Sequence, residues 1–465
     1  MLDLLYPISQ FVLAFIVLLA ALKYPPVVLC IYLLFSSAES FGISCAITPG
    51  YFDVMLAPLF LVAGAVSFYK VWRKSNLNRP CKRMFSTAML MALATMWLGL
   101  SVYANGGSMR QMLVYMATRG PHPVIIALAY WNDQRARKLI FVAVALQLFL
   151  ALGSLLDPDG PLYLIQAFQY NPYAIDSSML ELRFERISSQ FLSSLQLSFY
   201  AGVGVIAAVY SWLPPTSFRR KVMGIIIGIS ALSINYQTMS RGVWLALLIG
   251  ILLLVTRESK YRGVSLTFVI CMSILFSMAP TFIPFLKISE HIDYFVLRFS
   301  ELESNPYRTI AFRKFPYLLL INPLFGIGDK DIETLFLPHM LPLDHAILYG
   351  WFSGLCMAIL MYRAMAKIFH KITLTDQSHS RYTPQSETIS DKDKQLALML
   401  GLLAFFIGMT NSTAGKTLQF ICFGFACVPW VMGGRKIALR QRDAAFAPGL
   451  RENWPRTFIK GTSQT

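Results

Sequence analysis

Apolar stretches of about 17 to 25 residues, the length that crosses a bilayer as a helix, recur along almost the whole chain. They fall near 51–69, 85–103, 111–131, 139–156, 195–213, 222–237, 242–256, 263–285, 346–366, 395–411 and 417–434, and the shorter ones reach across with tilt. Ahead of them, residues 8–37 are apolar but interrupted by Lys23-Tyr24-Pro25-Pro26, which makes either one kinked span or two short ones. The pattern predicts an all-α, polytopic integral membrane protein with 12 or 13 transmembrane helices. No small-residue cleavage site follows the first apolar stretch, so it reads as a retained span and not a signal peptide.

Polar residues concentrate between these runs, and two connectors are long. Residues 157–194 open with Asp157-Pro158-Asp159-Gly160-Pro161, and the second connector runs from about Lys287 to His345. Within the second, Ile310, Phe312, Tyr317, Leu318 and Ile321 recur at helical spacing until Asn322-Pro323 stops the run. A large, partly helical loop lying over one membrane face is expected there, and such loops commonly carry function. In the connector 367–394, residues 372–394 are polar, rich in Ser and Thr and without apolar periodicity, the signature of a flexible linker. Residues 1–434 read as one membrane domain without an internal repeat, followed by a basic tail, 435–465.

Composition agrees, and charge supplies direction. Hydrophobic residues make up 56% of the 465, charged residues 14%, and the mean hydropathy is +0.54, a balance foreign to a soluble globule of this size. The net charge of +17 could point to nucleic acid, but its placement argues otherwise. Of the 41 lysines and arginines, 28 lie in 70–83, 132–138, 214–221, 257–262 and 367–394, at Arg363 and in the tail, while the alternate connectors hold 12. The positive-inside rule places the basic set and the C-terminus in the cytoplasm, and 157–194 and 287–345 on the outer face. The seven cysteines show no metal or disulfide spacing, and Cys422 and Cys427 fall on different helix faces as small hydrophobes.

Few residues are left as candidates for chemistry. Arg241 closes the polar connector from Asn235 and opens a span. It is either an interfacial anchor or an anion clamp, since a guanidinium stays charged and its donor fork fits phosphate oxygens. The second outward loop adds Arg298, Arg308, Arg313 and Lys314, but its six basic residues face eight acidic ones, so any anion site is local. Arg308 and Arg313, five apart, do not share a helical face. Gly326-Ile327-Gly328 lacks a third glycine and a preceding strand, and reads as a tight turn. The pairs Asp157/Asp159 and Asp329/Asp331 also read as turns, with no metal expected. His345 ends the loop beside Asp344 and is followed by a span; imidazole takes a proton from a hydroxyl near neutral pH, and Asp344 orients it or caps the helix.

Thr238-Met-Ser240-Arg241-Gly242 opening a span, then Arg308 in an outward loop, then Ile321-Asn-Pro-Leu-Phe-Gly-Ile-Gly328, then His345 ahead of Leu348-Tyr-Gly-Trp-Phe-Ser-Gly-Leu355 resembles the O-antigen ligase and O-antigen polymerase family of bacterial envelope enzymes. The likeness covers about 190–434, and the motifs are specific in that order. It implies a GT-C-like architecture in the bacterial inner membrane. It also implies an inverting glycosyltransferase, without cofactor or metal, acting at the periplasmic face on undecaprenyl-diphosphate-linked glycans, with a glycan or lipid-linked acceptor. The family's key residues map onto Arg241, Arg308 and His345, with Arg298, Arg313 and Asp344 as accompanying substrate-binding candidates. Ala346 follows the histidine where the family usually has asparagine, so that amide is missing. The resemblance favours an exopolysaccharide or O-antigen polymerase over a ligase; a lipid-linked oligosaccharide flippase and a non-catalytic scaffold are the alternatives.

Overall fold

The computed structural model describes residues 2–36, 51–75, 79–156, 194–213, 216–238, 240–257, 306–328, 337, 340–372, 391–410 and 416–432. Among the described residues every regular element is an α-helix. The first seven are α1 (Leu2–Lys23), α2 (Pro25–Phe35), α3 (Tyr51–Lys74), α4 (Arg79–Ala104), α5 (Met109–Arg119), α6 (Pro123–Ala129) and α7 (Gln134–Leu156). Then come α8 (Ser194–Trp212), α9 (Phe218–Thr238), α10 (Arg241–Arg257), α11 (Pro306–Ile321), α12 (Leu341–Tyr349), α13 (Trp351–Ile372), α14 (Asp391–Thr410) and α15 (Lys416–Met432). Among the described residues four segments are long and apolar enough to cross a membrane: Met55–Lys74, Cys81–Ala104, Gln134–Gly153 and Leu195–Trp212. The expected span 263–285, most of 157–194, Arg298, both Asp-x-Asp pairs, residues 373–390 and the basic tail lie outside the described residues.

The breaks between helices follow from local chemistry. The apolar stretch expected over 8–37 is two helices as far as it is described, to Ser36: the chain leaves helical geometry at Tyr24, and Pro25 and Pro26 open α2, where their missing N–H groups cost nothing. The stretch 111–131, expected as one span, is instead α5 and α6, separated at Gly120-Pro121-His122. Gly120 fits because a Cβ there would lie 2.2 Å from the carbonyl oxygen of Met116. The run from 346 is also split: α12 ends and α13 begins across Gly350, whose φ of 87° is open to glycine and strained for other residues. Helix also enters both ends of the connector 367–394, since α13 continues to Ile372 and α14 starts at Asp391.

Side-chain exposure explains how these helices are sorted. Along α4, Met89, Leu93, Met96, Leu100 and Tyr103 are all exposed, while Ala88, Met91, Ala94 and Leu98 are buried. A continuous apolar stripe on the outer face of a helix suits lipid far better than water. Inside, α15 packs against α6, α13 and α14, closely enough that a Cβ on Gly424 would meet that of Ala127 at 2.6 Å.

One end of the bundle collects polar contacts. Arg137 pairs with Asp393 at 2.5 Å, Tyr210 Oη donates to the same carboxylate at 2.9 Å, and Lys392 Nζ donates to the Leu213 carbonyl at 2.7 Å. Close by in sequence, Tyr24 Oη donates to Asp133 at 2.7 Å, and Lys70 Nζ sits 3.5 Å over the Tyr130 ring. Asp133, Arg137, Arg220, Lys392 and Asp393, which lie in three of the basic connectors, and Lys70 at the edge of a fourth thus lie at one end of the described helices. Helices α4 and α13 run antiparallel: Arg363 Nη1 donates to Thr87 at 3.0 Å near that end, and the rings of Trp97 and Phe352 lie 5.2 Å apart further along.

Candidate functional site

The glycine-containing turn and the histidine-bearing helix form a single unit. Helix α11 stops at Ile321, and Asn322 takes over, its Oδ1 accepting from Phe325 N–H at 3.2 Å and its carbonyl from Gly326 N–H at 2.8 Å. The chain then docks on the end of α12: Ile327 N–H donates to the Ile347 carbonyl at 2.9 Å and Gly328 N–H to that of Leu348 at 3.1 Å. These are carbonyls that a helix end leaves without intrahelical partners. Trp351 N–H returns to the Pro323 carbonyl at 2.9 Å, closing the loop from the other side. Gly326, φ 68°, permits this approach, since a Cβ there would lie 2.4 Å from the backbone of Leu348. The expected tight turn is present, and its role is to cap the histidine helix.

Helix α4 grips the same unit. The Phe325 carbonyl accepts from Ser101 Oγ and from Asn105 Nδ2 at 3.3 Å, while its ring stacks on Trp97 at 5.4 Å. Trp97 Nε1 donates to the Tyr349 carbonyl at 3.1 Å. A small core of Leu98, Leu318, Leu337, Ile347, Leu348 and Tyr349 joins α11 to α12, so the helix bearing Arg308 and Arg313 is packed onto the helix bearing His345.

His345 is 7% exposed. Its Nδ1 lies 3.1 Å from Ser353 Oγ, and its ring meets Tyr349 edge-on at 5.4 Å and Phe420 at 6.4 Å. It is the fifth residue of α12, not the junction of loop and helix, because α12 starts four residues earlier. Asp344 is correspondingly not the cap: the N-cap is Met340, whose carbonyl accepts from Asp344 N–H at 2.8 Å. Asp344 is a buried acidic residue in the first turn, where a carboxylate suits the helix dipole. Pro342 fits this first turn because its missing N–H would find no intrahelical partner.

The candidate arginines occupy different positions. Arg241 is the first residue of α10 and Arg308 the third of α11; of these two only the backbone is described. Arg313 is exposed on α11. Two residues missed in the sequence belong to the His345 surroundings. Ser353 lies within the stretch 348–355 that carries the resemblance, but nothing in the sequence marked it as a partner of His345. Arg119, whose Nη1 donates to Tyr349 Oη at 2.9 Å, did have a readable signal: a cation inside an otherwise apolar stretch marks a functional position. Among the described residues no group of three or more His, Cys, Asp or Glu could hold a metal ion.

Neither a protein-family model nor a curated protein matches the chain.

Proposed function

We propose that the protein is an inverting, metal-independent glycosyltransferase that polymerises or transfers undecaprenyl-diphosphate-linked glycan units at the periplasmic face of a bacterial inner membrane. The reading includes the 12 or 13 spans, the GT-C-like architecture and the cytoplasmic C-terminus expected from the sequence. The observation that carries it is the seating of His345. A buried imidazole on a short, capped helix has its Nδ1 3.1 Å from Ser353 Oγ and its ring set edge-on against Tyr349, a fixed seating of the kind a general base needs. In the proposed step an acceptor hydroxyl oxygen bonds to the anomeric carbon from the face opposite the leaving group. The bond between that carbon and the diphosphate oxygen breaks, the lipid keeps the diphosphate, and His345 takes the hydroxyl proton. Arg241 and Arg308 would offset the charge on the leaving diphosphate.

His345→Ala should insert normally and lose chain extension or transfer by at least about a hundredfold, the usual worth of a general base. Polymer of normal length from that variant would remove the histidine from the mechanism. Purified protein incubated with lipid-diphosphate oligosaccharide alone separates the two activities: growth of the glycan marks a polymerase, and turnover only with a second acceptor marks a ligase. The break at Gly120-Pro121-His122 beside Arg119 favours a second reading, a flippase, because transporters place discontinuous helices at their substrate sites. Movement of labelled lipid-linked glycan across liposomes without new glycosidic bonds would replace the enzyme by that transporter.

A further inference from the structure

Arg119 closes α5 at the helix break, with apolar chain on both sides. A guanidinium in such a stretch is costly unless directed to polar company. Its Nη1 donates to Tyr349 Oη at 2.9 Å, and its carbon Cζ lies 4.8 Å over the Tyr115 ring. Tyr349 is 1% exposed and is held from another direction by Trp97 through its carbonyl. A charge-assisted hydrogen bond of this kind is stronger than a neutral one, so the phenol is fixed at its hydroxyl and at its backbone. The same ring meets the His345 imidazole in an edge-on contact, with the centroids 5.4 Å apart. The break after Arg119 depends on Gly120, where no side chain fits.

We infer that Arg119 is a positioning residue for His345, acting through Tyr349: the guanidinium pins the phenol, and the phenol ring sets the tilt of the imidazole whose Nδ1 Ser353 holds. The consequence for catalysis rests on the glycosyltransferase reading; the contact chain itself does not.

The test uses the full-length protein with Tyr349→Phe, which keeps the ring and deletes the hydroxyl, and with Arg119→Met and Arg119→Lys. The first readout is the rate of His345 carbethoxylation by diethylpyrocarbonate, followed by peptide mass mapping. His122, 3% exposed against Phe60, serves as internal reference. Tyr349→Phe and Arg119→Met should raise the His345 rate severalfold and leave His122 unchanged in Tyr349→Phe, while Arg119→Lys, which retains a donor, restores most of the protection. The second readout is steady-state chain extension with lipid-diphosphate oligosaccharide. There kcat should fall about ten- to a hundredfold, the effect of a misplaced catalytic group, with KM unchanged. Unaltered His345 reactivity in both deleting variants overturns the inference, as does equal acceleration at His122 in Tyr349→Phe, which would mean general loosening. A rise in KM at constant kcat also overturns it, because Arg119 would then bind the donor. If His345→Ala extends chains normally, the enzyme reading fails while the carbethoxylation result still decides the contact chain.

Discussion

Lys392 illustrates how a single side chain at the polar end of the bundle carries a measurable consequence. Its ammonium donates to the Leu213 carbonyl and lies 4.3 Å over the Tyr210 ring. Burial, then the nearby charge of Arg220, lowers its pKa to about 8, with Arg137 adding to the effect and Asp393 opposing it. In the unfolded chain the group keeps its ordinary value near 10.4. Between the two values the unfolded state binds more protons, so stability rises as pH climbs through that window. Tyr24, held protonated by burial and by Asp133, works in the opposite direction above about 10. Thermal unfolding in detergent should therefore show a midpoint that increases from about pH 8 to about 10, and Lys392→Met should flatten that increase. An undiminished slope in the variant would assign the effect to another group. At this scale the sequence was partly readable. His345, Arg308 and Arg313 stood out as polar residues in an apolar chain, and the structure packs the helix of the latter two onto the helix of the first. The contact of His345 with Ser353 was not readable: eight residues along a straight helix separate two positions by about 12 Å, and only the break at Gly350 brings them within 3.1 Å.

Among elements, the turn 322–328 and α12 form the part most dependent on glycine. At Gly350, with φ 87°, a Cβ would lie 1.9 Å from the Leu324 carbonyl oxygen. Gly350→Ala combines a positive-φ backbone penalty of about 1–3 kcal/mol with a clash against main chain that has no flexible end to yield. Gly250 in α10 is the matched control, because a Cβ there meets nothing closer than Met399 at 3.8 Å. Alanine in a helix interior gains about 0.5–1 kcal/mol over glycine. We expect Gly350→Ala to lower the unfolding midpoint and the yield of inserted protein, and Gly250→Ala to leave both unchanged or improved. Equal tolerance at the two sites would show that the turn does not cap α12 as described. The end of α11 at Asn322-Pro323 was legible because an Asn-Pro pair favours a turn, whereas Pro316 is carried inside the same helix. Gly350 was not, because one glycine within Leu348-Tyr-Gly-Trp-Phe352 is a weak signal, and its positive φ is imposed by the docked turn.

The whole molecule sorts its surfaces by solvent. Among the described residues the contacts of Arg137, Lys392 and Asp393 lie at one end, a second polar set surrounds the turn 322–328 and α12, and the exposed apolar stripe of α4 runs along the helix length. Average apolarity hid the interruption within 111–131, since Gly120-Pro121-His122 is short beside the apolar residues around it. That interruption bears on how the chain is made. A segment is released sideways into the bilayer during synthesis if it is apolar over some twenty residues, and α5 and α6, with 11 and 7 residues, each fall short. The apolar surface of α6 is instead buried against α15, which leaves the ribosome long afterwards. We therefore expect the region around Gly120 to be a late-maturing seam, whose final placement awaits α15. A chain ending before Lys416 should leave residues 120–129 open to protease in isolated membranes while Cys81–Ala104 stays protected; equal protection of both would mean that the seam closes without its partner.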